Sequence, residues 1–117
     1  VSSPVNGTIV IADDVVAQVV GLTVLECYGV VGMAATRLVH GVERLLGRDS
    51  LTKGVTVSRD EAGAARIDLY VIMEHGLNLA EVAENVRSRV AYQTARLTGV
   101  DVAGVQIHIQ GVRRAGR

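Results

Sequence analysis

In Arg66-Ile67-Asp68-Leu69-Tyr70-Val71-Ile72-Met73, the apolar Ile67, Leu69, Val71 and Met73 alternate with Arg66, Asp68, Tyr70 and Ile72, the two-residue period of a half-buried strand. His75-Gly76 then turns the chain, and Leu79, Val82, Ala83, Val86, Val90 and Leu97 recur at helical spacing. Asn78 before this run, with Glu81 three residues on, predicts a capped helix start, and Thr98-Gly99 predicts its end. Val105, Ile107 and Ile109 resume strand alternation. Strand, helix and strand are thus legible between residues 66 and 112, and almost none of the polar residues there is spaced for chemistry.

The rest of the chain supplies a matching first half. Residues 7–11 read as a short strand, and Asp13 or Asp14 then offers an N-cap carboxylate to a helix running to about Tyr28. Val16, Val19, Val20, Thr23 and Cys27 mark one face of that helix, Gly21 suits a close crossing, and Gly29 reads as its stop. Residues 30–39 are apolar but broken by Gly32, consistent with a strand or with a packed extended segment. A short helix is expected at residues 41–47 and a polar connection at 48–54. Val55 and Val57 predict another strand, turned by Asp60-Glu61-Ala62-Gly63 into the residue 66–73 strand as a hairpin. The expected order is βαββαβ. The fold class is α+β: a two-layer sandwich with a mostly antiparallel sheet and two long helices on one face. With no linker or internal repeat, residues 1–117 read as one domain.

Composition narrows the function classes. The 117 residues carry 12 basic and 12 acidic side chains, so no net field draws nucleic acid or an anionic surface. The single Cys27 excludes an internal disulfide framework and fits a reducing cytoplasm. Asp13, Asp14, Gln18 and Glu26 interrupt the most apolar region, so direct membrane insertion is not expected. Val1-Ser2-Ser3 shows no basic stretch leading an apolar core, and no signal peptide is expected. Phe and Trp are absent, leaving a core of Val, Ala, Leu and Ile.

Few residues suggest chemistry. His40, His75 and His108 are scattered singly, without the close pairing that metal ligation needs, so no metal is expected. Cys27 lies on an apolar helix face near a C-terminus and reads as a structural thiol. Gly29-Val30-Val31-Gly32 matches the outline of a phosphate or RNA-clamping loop but has valines where such loops place basic residues. The outward strand positions Tyr70, Gln106 and His108 do not supply the paired aromatics of an RNA-binding sheet. No catalytic residue and no cofactor are expected. The surface candidates are instead contact residues: Gly29, Val30, Val31, Gly32 and Met33 as one segment, Tyr70, Ile72, Gln106 and His108 on the open sheet face, and Arg113 and Arg114 at a basic end.

Gly7-Thr8-Ile9-Val10-Ile11, Glu26-Cys27-Tyr28-Gly29-Val30-Val31-Gly32-Met33 and Gln110-Gly111-Val112-Arg113 together resemble the bacterial alkaline shock protein family of envelope stress proteins. Tyr70, Ala80-Glu81-Val82-Ala83, Asn85-Val86 and Thr98-Gly99-Val100 fit the same pattern, while His75 stands where a Tyr is more usual. The Cys27 to Met33 run is most similar to the subgroup encoded beside dihydroxyacetone-kinase-like fatty acid kinases. The resemblance implies a cytoplasmic, non-enzymatic interaction or scaffold protein tied to envelope or lipid homeostasis. It implies self-association, a membrane-anchored or fatty acid kinase-like partner, and a position peripheral to the membrane through that partner. The competing classes are a nucleic-acid-binding domain and a carrier of acyl chains or another small ligand.

Overall fold

The computed structural model describes residues 7–34 and 53–114. Their elements are α1 (Asp13–Leu25), β1 (Val30–Met33), β2 (Val55–Arg59), β3 (Ala65–Glu74), α2 (Leu79–Thr98) and β4 (Val102–Arg113). The α+β, two-layer architecture is the expected one. β3 is the central strand. Ala65, Ile67, Leu69, Val71 and Met73 are buried towards the helices, and the residues between them face the other way. The helices supply Val16, Ala17, Val20 and Val24 from α1 and Val82, Val86 and Val90 from α2 to the same core.

The strand order explains the mixed sheet. β2 joins β3 through the Asp60 turn, so the pair is antiparallel. The Asp60 carboxylate accepts from the Ala62 and Ala64 amides at 2.9 Å, and Gly63 takes φ +88°. β3 and β4 are connected across α2 and run parallel along almost their whole length. β1 pairs antiparallel with the far end of β3, through Val71, Ile72 and Met73. β1 and β2 therefore share one edge of β3, end to end, and β4 takes the other.

The seam between β1 and β2 falls at Tyr70. Its carbonyl accepts from the Ala34 amide at 2.8 Å, and its own amide donates to the Gly54 carbonyl at 2.9 Å. Ala34 is the last described residue of one segment on this edge, and Gly54 opens the next. Gly54 has φ +79°, and a Cβ there would stand 2.7 Å from the Ala34 oxygen and 2.8 Å from the Tyr70 oxygen. Only glycine closes this seam without displacing backbone.

Three local expectations need correction. Residues 7–11 form no strand: with Ile9 89% and Val10 82% exposed, the segment pairs with no strand among the described residues. A strand needs a neighbour, and the alternation alone cannot provide one. α1 ends at Leu25 and not near Tyr28, and its N-cap is Ala12 without a side-chain cap bond; Asp13 and Asp14 lie in the first turn, where carboxylates favour the helix dipole. Gly29 is consequently not the helix stop. It takes φ +93° in the turn into β1, where a Cβ would come within 2.9 Å of Val82 and 3.1 Å of Leu77. In residues 30–39, β1 settles the first four as a strand; the expected helix at 41–47, and His40, lie outside the described residues.

α2 follows its sequence signals closely. The Asn78 side chain accepts from the Glu81 amide at 3.1 Å, and Gly99 caps the other end at φ +75°. Its buried row is Val82, Val86, Val90 and Thr94, whereas Leu97 is exposed. Steps of four hold the packed stripe in line, and Leu97 falls off it.

Candidate interaction face

Because neighbouring strands place opposed residues side by side, the register decides what the sheet face away from the helices displays. Tyr70 lies opposite His108, Asp68 opposite Gln106 and Thr56, and Ile72 opposite Gly32 and Gly111. The Tyr70 and His108 rings are stacked, 4.4 Å between centroids and 7° from parallel. That spacing is close to the separation of adjacent strands, about 4.8 Å, so the rings stand side by side on their strands. His108 Nε2 lies 3.0 Å from Asp68 Oδ1, a diagonal contact two residues back along β3. Each ring spends one π-face on the other. The cluster is ordered by the two strand backbones, the ring stack and the carboxylate.

The structure brings Tyr70, Ile72, Gln106 and His108 onto this one face, with Gly32 at its margin. It does not bring the rest of the residue 29–33 segment there. Gly29 is buried against Val82, while Val30 and Met33 lie opposite the inward-facing Met73 and Val71 and pack on the core. Val31 is the extra residue of a bulge between Val30 and Gly32. Arg113 pairs in register with Glu74 at the end of β4, its carbonyl accepting from the His75 amide at 2.7 Å, and Arg114 follows exposed.

Asp68 is not among the contact residues expected from sequence, although it orients His108. Alternation alone marks it as outward, but only the parallel β3–β4 register places it within reach of the imidazole. Arg59 is a second such residue. It donates to Asp13 Oδ1 at 2.9 Å, to the Ile11 carbonyl at 3.1 Å and to the Gly63 carbonyl at 3.1 Å, tying the entry to α1 onto the β2–β3 turn. No sequence signal joins positions so far apart.

The remaining reactive group is structural. Cys27 is buried, and its thiol donates to the Thr23 carbonyl at 3.4 Å. Burial pushes its pKa up, Arg89 opposes that, and Glu26 adds to it. Such a thiol is held protonated and is a poor nucleophile. Among the described residues no group of three His, Cys, Asp or Glu is placed to hold a metal ion. No helix among them is long and apolar enough to cross a membrane. Among the surface depressions they line are open grooves along α2 at Ser88, Arg89, Tyr92, Gln93 and Arg96, beside Tyr28, Leu77 and Asn78, and between Ile9 and Val10 and the Thr98 to Val100 turn.

Two helices on one side of a mixed sheet, with an ordered polar and aromatic cluster on the side that no described element covers, define a two-layer α+β protein. The chain belongs to the alkaline shock protein 23 family, described by its cell envelope-related function, whose model matches residues 2–114. It is 38% identical over 108 residues to the uncharacterized protein YloU of Bacillus subtilis, covering 92% of this chain and 89% of that one. It is 32% identical over 112 residues to the uncharacterized protein Spy1614 of Streptococcus pyogenes, covering 95% and 92%. A more distant relative, 22% identical, is a stress response regulator gls24 homolog of Streptococcus pyogenes, of which this chain spans 62% and which covers 96% of this chain. The alkaline shock resemblance seen in the sequence is therefore a family relationship. No solved structure matches the chain.

Proposed function

We propose that this chain is a non-enzymatic interaction module of the envelope stress response, which associates with itself and docks a protein partner through the open sheet face centred on Tyr70 and His108. The observation that carries this reading is the Tyr70–His108–Asp68 cluster: three side chains held in one arrangement on a face that no described element covers. Ordering side chains in advance lowers the entropy cost of binding. Aromatic residues at such a centre are frequent anchors of protein contacts. The mutual stacking also weighs against a nucleic-acid platform, because the ring faces turned to each other are not open to a base.

The family's cell envelope-related description supports a partner from the envelope's sphere. Within that setting we assign the partner to a membrane-anchored protein or a fatty acid kinase-like enzyme of lipid metabolism, with this chain in the cytoplasm and reaching the membrane only through it. The test is a pull-down from the native cell with the unaltered chain and with a Tyr70→Ser, His108→Ser double variant, alongside a direct binding titration of each captured protein. An envelope or lipid-metabolism protein bound by the first and released by the second is the expected result. Equal binding by both chains would remove the open face from the proposal.

A further inference from the structure

The sheet leaves one long edge open and the chain leaves one strand-like segment without a neighbour among the described residues. β4 spans Val102–Arg113 and, among the described strands, pairs only with β3. Its outer edge carries neither lysine nor proline, two of the devices that keep sheet edges from accepting another strand. Bulges at Ala103, between Val102 and Gly104, and at Gln110, between Ile109 and Gly111, interrupt its two ends, and Arg113 adds a charge at the far one. Between them residues 104–109 remain a regular run, long enough to receive residues 7–11. That segment, Gly-Thr-Ile-Val-Ile, has strand-like composition and holds Ile9 and Val10 almost fully in solvent. Two adjacent, large, exposed aliphatic residues on an unpaired backbone are an unusual surface for a lone molecule.

The same chain does not join the two in this structure. Arg59, at the end of β2, holds the Ile11 carbonyl and Asp13. Ile9, Val10 and Ile11 line a depression with Arg59, Thr98, Gly99 and Val100, between the end of α2 and the start of β4, and pair with no strand there. A second copy can bring its own segment up along the edge.

Resting on the self-association proposed above, we infer that residues 7–11 of one copy add as a strand to the outer edge of β4, at residues 104–109, of a second copy. The added strand satisfies backbone groups on both partners and takes Ile9 and Val10 out of water, the two contributions that drive strand addition. Alternation turns Ile9 to one side of the extended sheet and Thr8 and Val10 to the other. Ile109, which is itself partly exposed, lies at the end of the receiving run. Each copy carries one arm and one edge, so the same contact serves every molecule in the assembly.

The experiment follows association by light scattering over a concentration series for the full chain and for Ile9→Asp and Val10→Asp. Backbone hydrogen exchange across residues 104–109 is measured at low and high concentration. Both substitutions fall on exposed side chains, and circular dichroism verifies that the fold is retained. The expected result is association by the native chain, a shift of at least about tenfold to higher concentration in each variant, and protection of the β4 amides that grows with concentration only in the native chain. Association unchanged by either variant, with β4 exchange independent of concentration, overturns the strand addition and leaves self-association standing. A monomer at every concentration overturns both.

Discussion

The two faces of β3 are built from the same ten residues and have opposite lives. Towards the helices stand Ala65, Ile67, Leu69, Val71 and Met73, all buried, none carrying a polar side chain. Away from them stand Arg66, Asp68, Tyr70, Ile72 and Glu74, exposed or half-exposed, where the Asp68 carboxylate and the Tyr70 ring both engage His108. Each side has an exception. Thr94 of α2 puts a fully buried hydroxyl with no hydrogen-bond partner against the apolar side, and Ile72 puts an aliphatic chain on the polar one. The contrast separates what holds the molecule together from what it can offer to others, and it can be tested from both sides.

The covered face is the more vulnerable. Leu69→Ala empties a fully buried site and is expected to lower stability by about 2–5 kcal/mol, read from the urea midpoint. A loss below about 1 kcal/mol would mean that this face is not the core. The seam comes next: Gly54→Ala forces a Cβ against two backbone oxygens at positive φ, and a cost of about 1–3 kcal/mol is expected, with the Ala34 and Tyr70 amides exchanging faster. The polar exception should invert the usual sign. Thr94→Val keeps the shape, removes the orphaned hydroxyl and is expected to raise stability by about 1 kcal/mol.

The open face should matter little to folding. His108→Ala loses the ring stack and the Asp68 contact, both half-exposed, and a cost of about 1 kcal/mol or less is expected, against a large loss in partner binding. A stability loss as large as that of Leu69→Ala would erase the distinction between the faces. The smallest effect is at Cys27. Its folded pKa is raised, so the folded state keeps the thiol proton where the unfolded chain, with an ordinary value of 9.0, releases it. The stabilisation is complete below that value and is lost as pH rises through the folded pKa. Above pH 9.0 the native chain should therefore lose stability more steeply than Cys27→Ala.

The elements legible beforehand are those with strong local signals. β3 and α2 are readable because alternation, the Asn78 cap and Gly99 all agree at short range. The ends of α1 are not, because it is apolar nearly all round and Val15, Leu22 and Leu25 stay exposed beside a buried stripe. Val16, Val20, Thr23 and Cys27 mark its buried face, but the composition gives no clear boundary. The candidate face is half legible: period alone marks Tyr70, Gln106 and His108 as outward, but Asp68 becomes their partner only through the register of two strands separated by a helix.

By itself, the sequence determined the alternating β3, the capped α2, the hairpin at Asp60, the alkaline shock family pattern and the lack of a recognisable catalytic set, since each is written in spacings of a few residues. Tertiary structure alone decided that β1 and β2 share an edge closed at Gly54 and that Tyr70 stacks on His108 over Asp68. It also decided that, among the described residues, the segment 7–11 stays unpaired while β4 keeps a free edge. These depend on strand neighbours and register, set by burial and hydrogen bonding between segments far apart in the chain, and no local period encodes them.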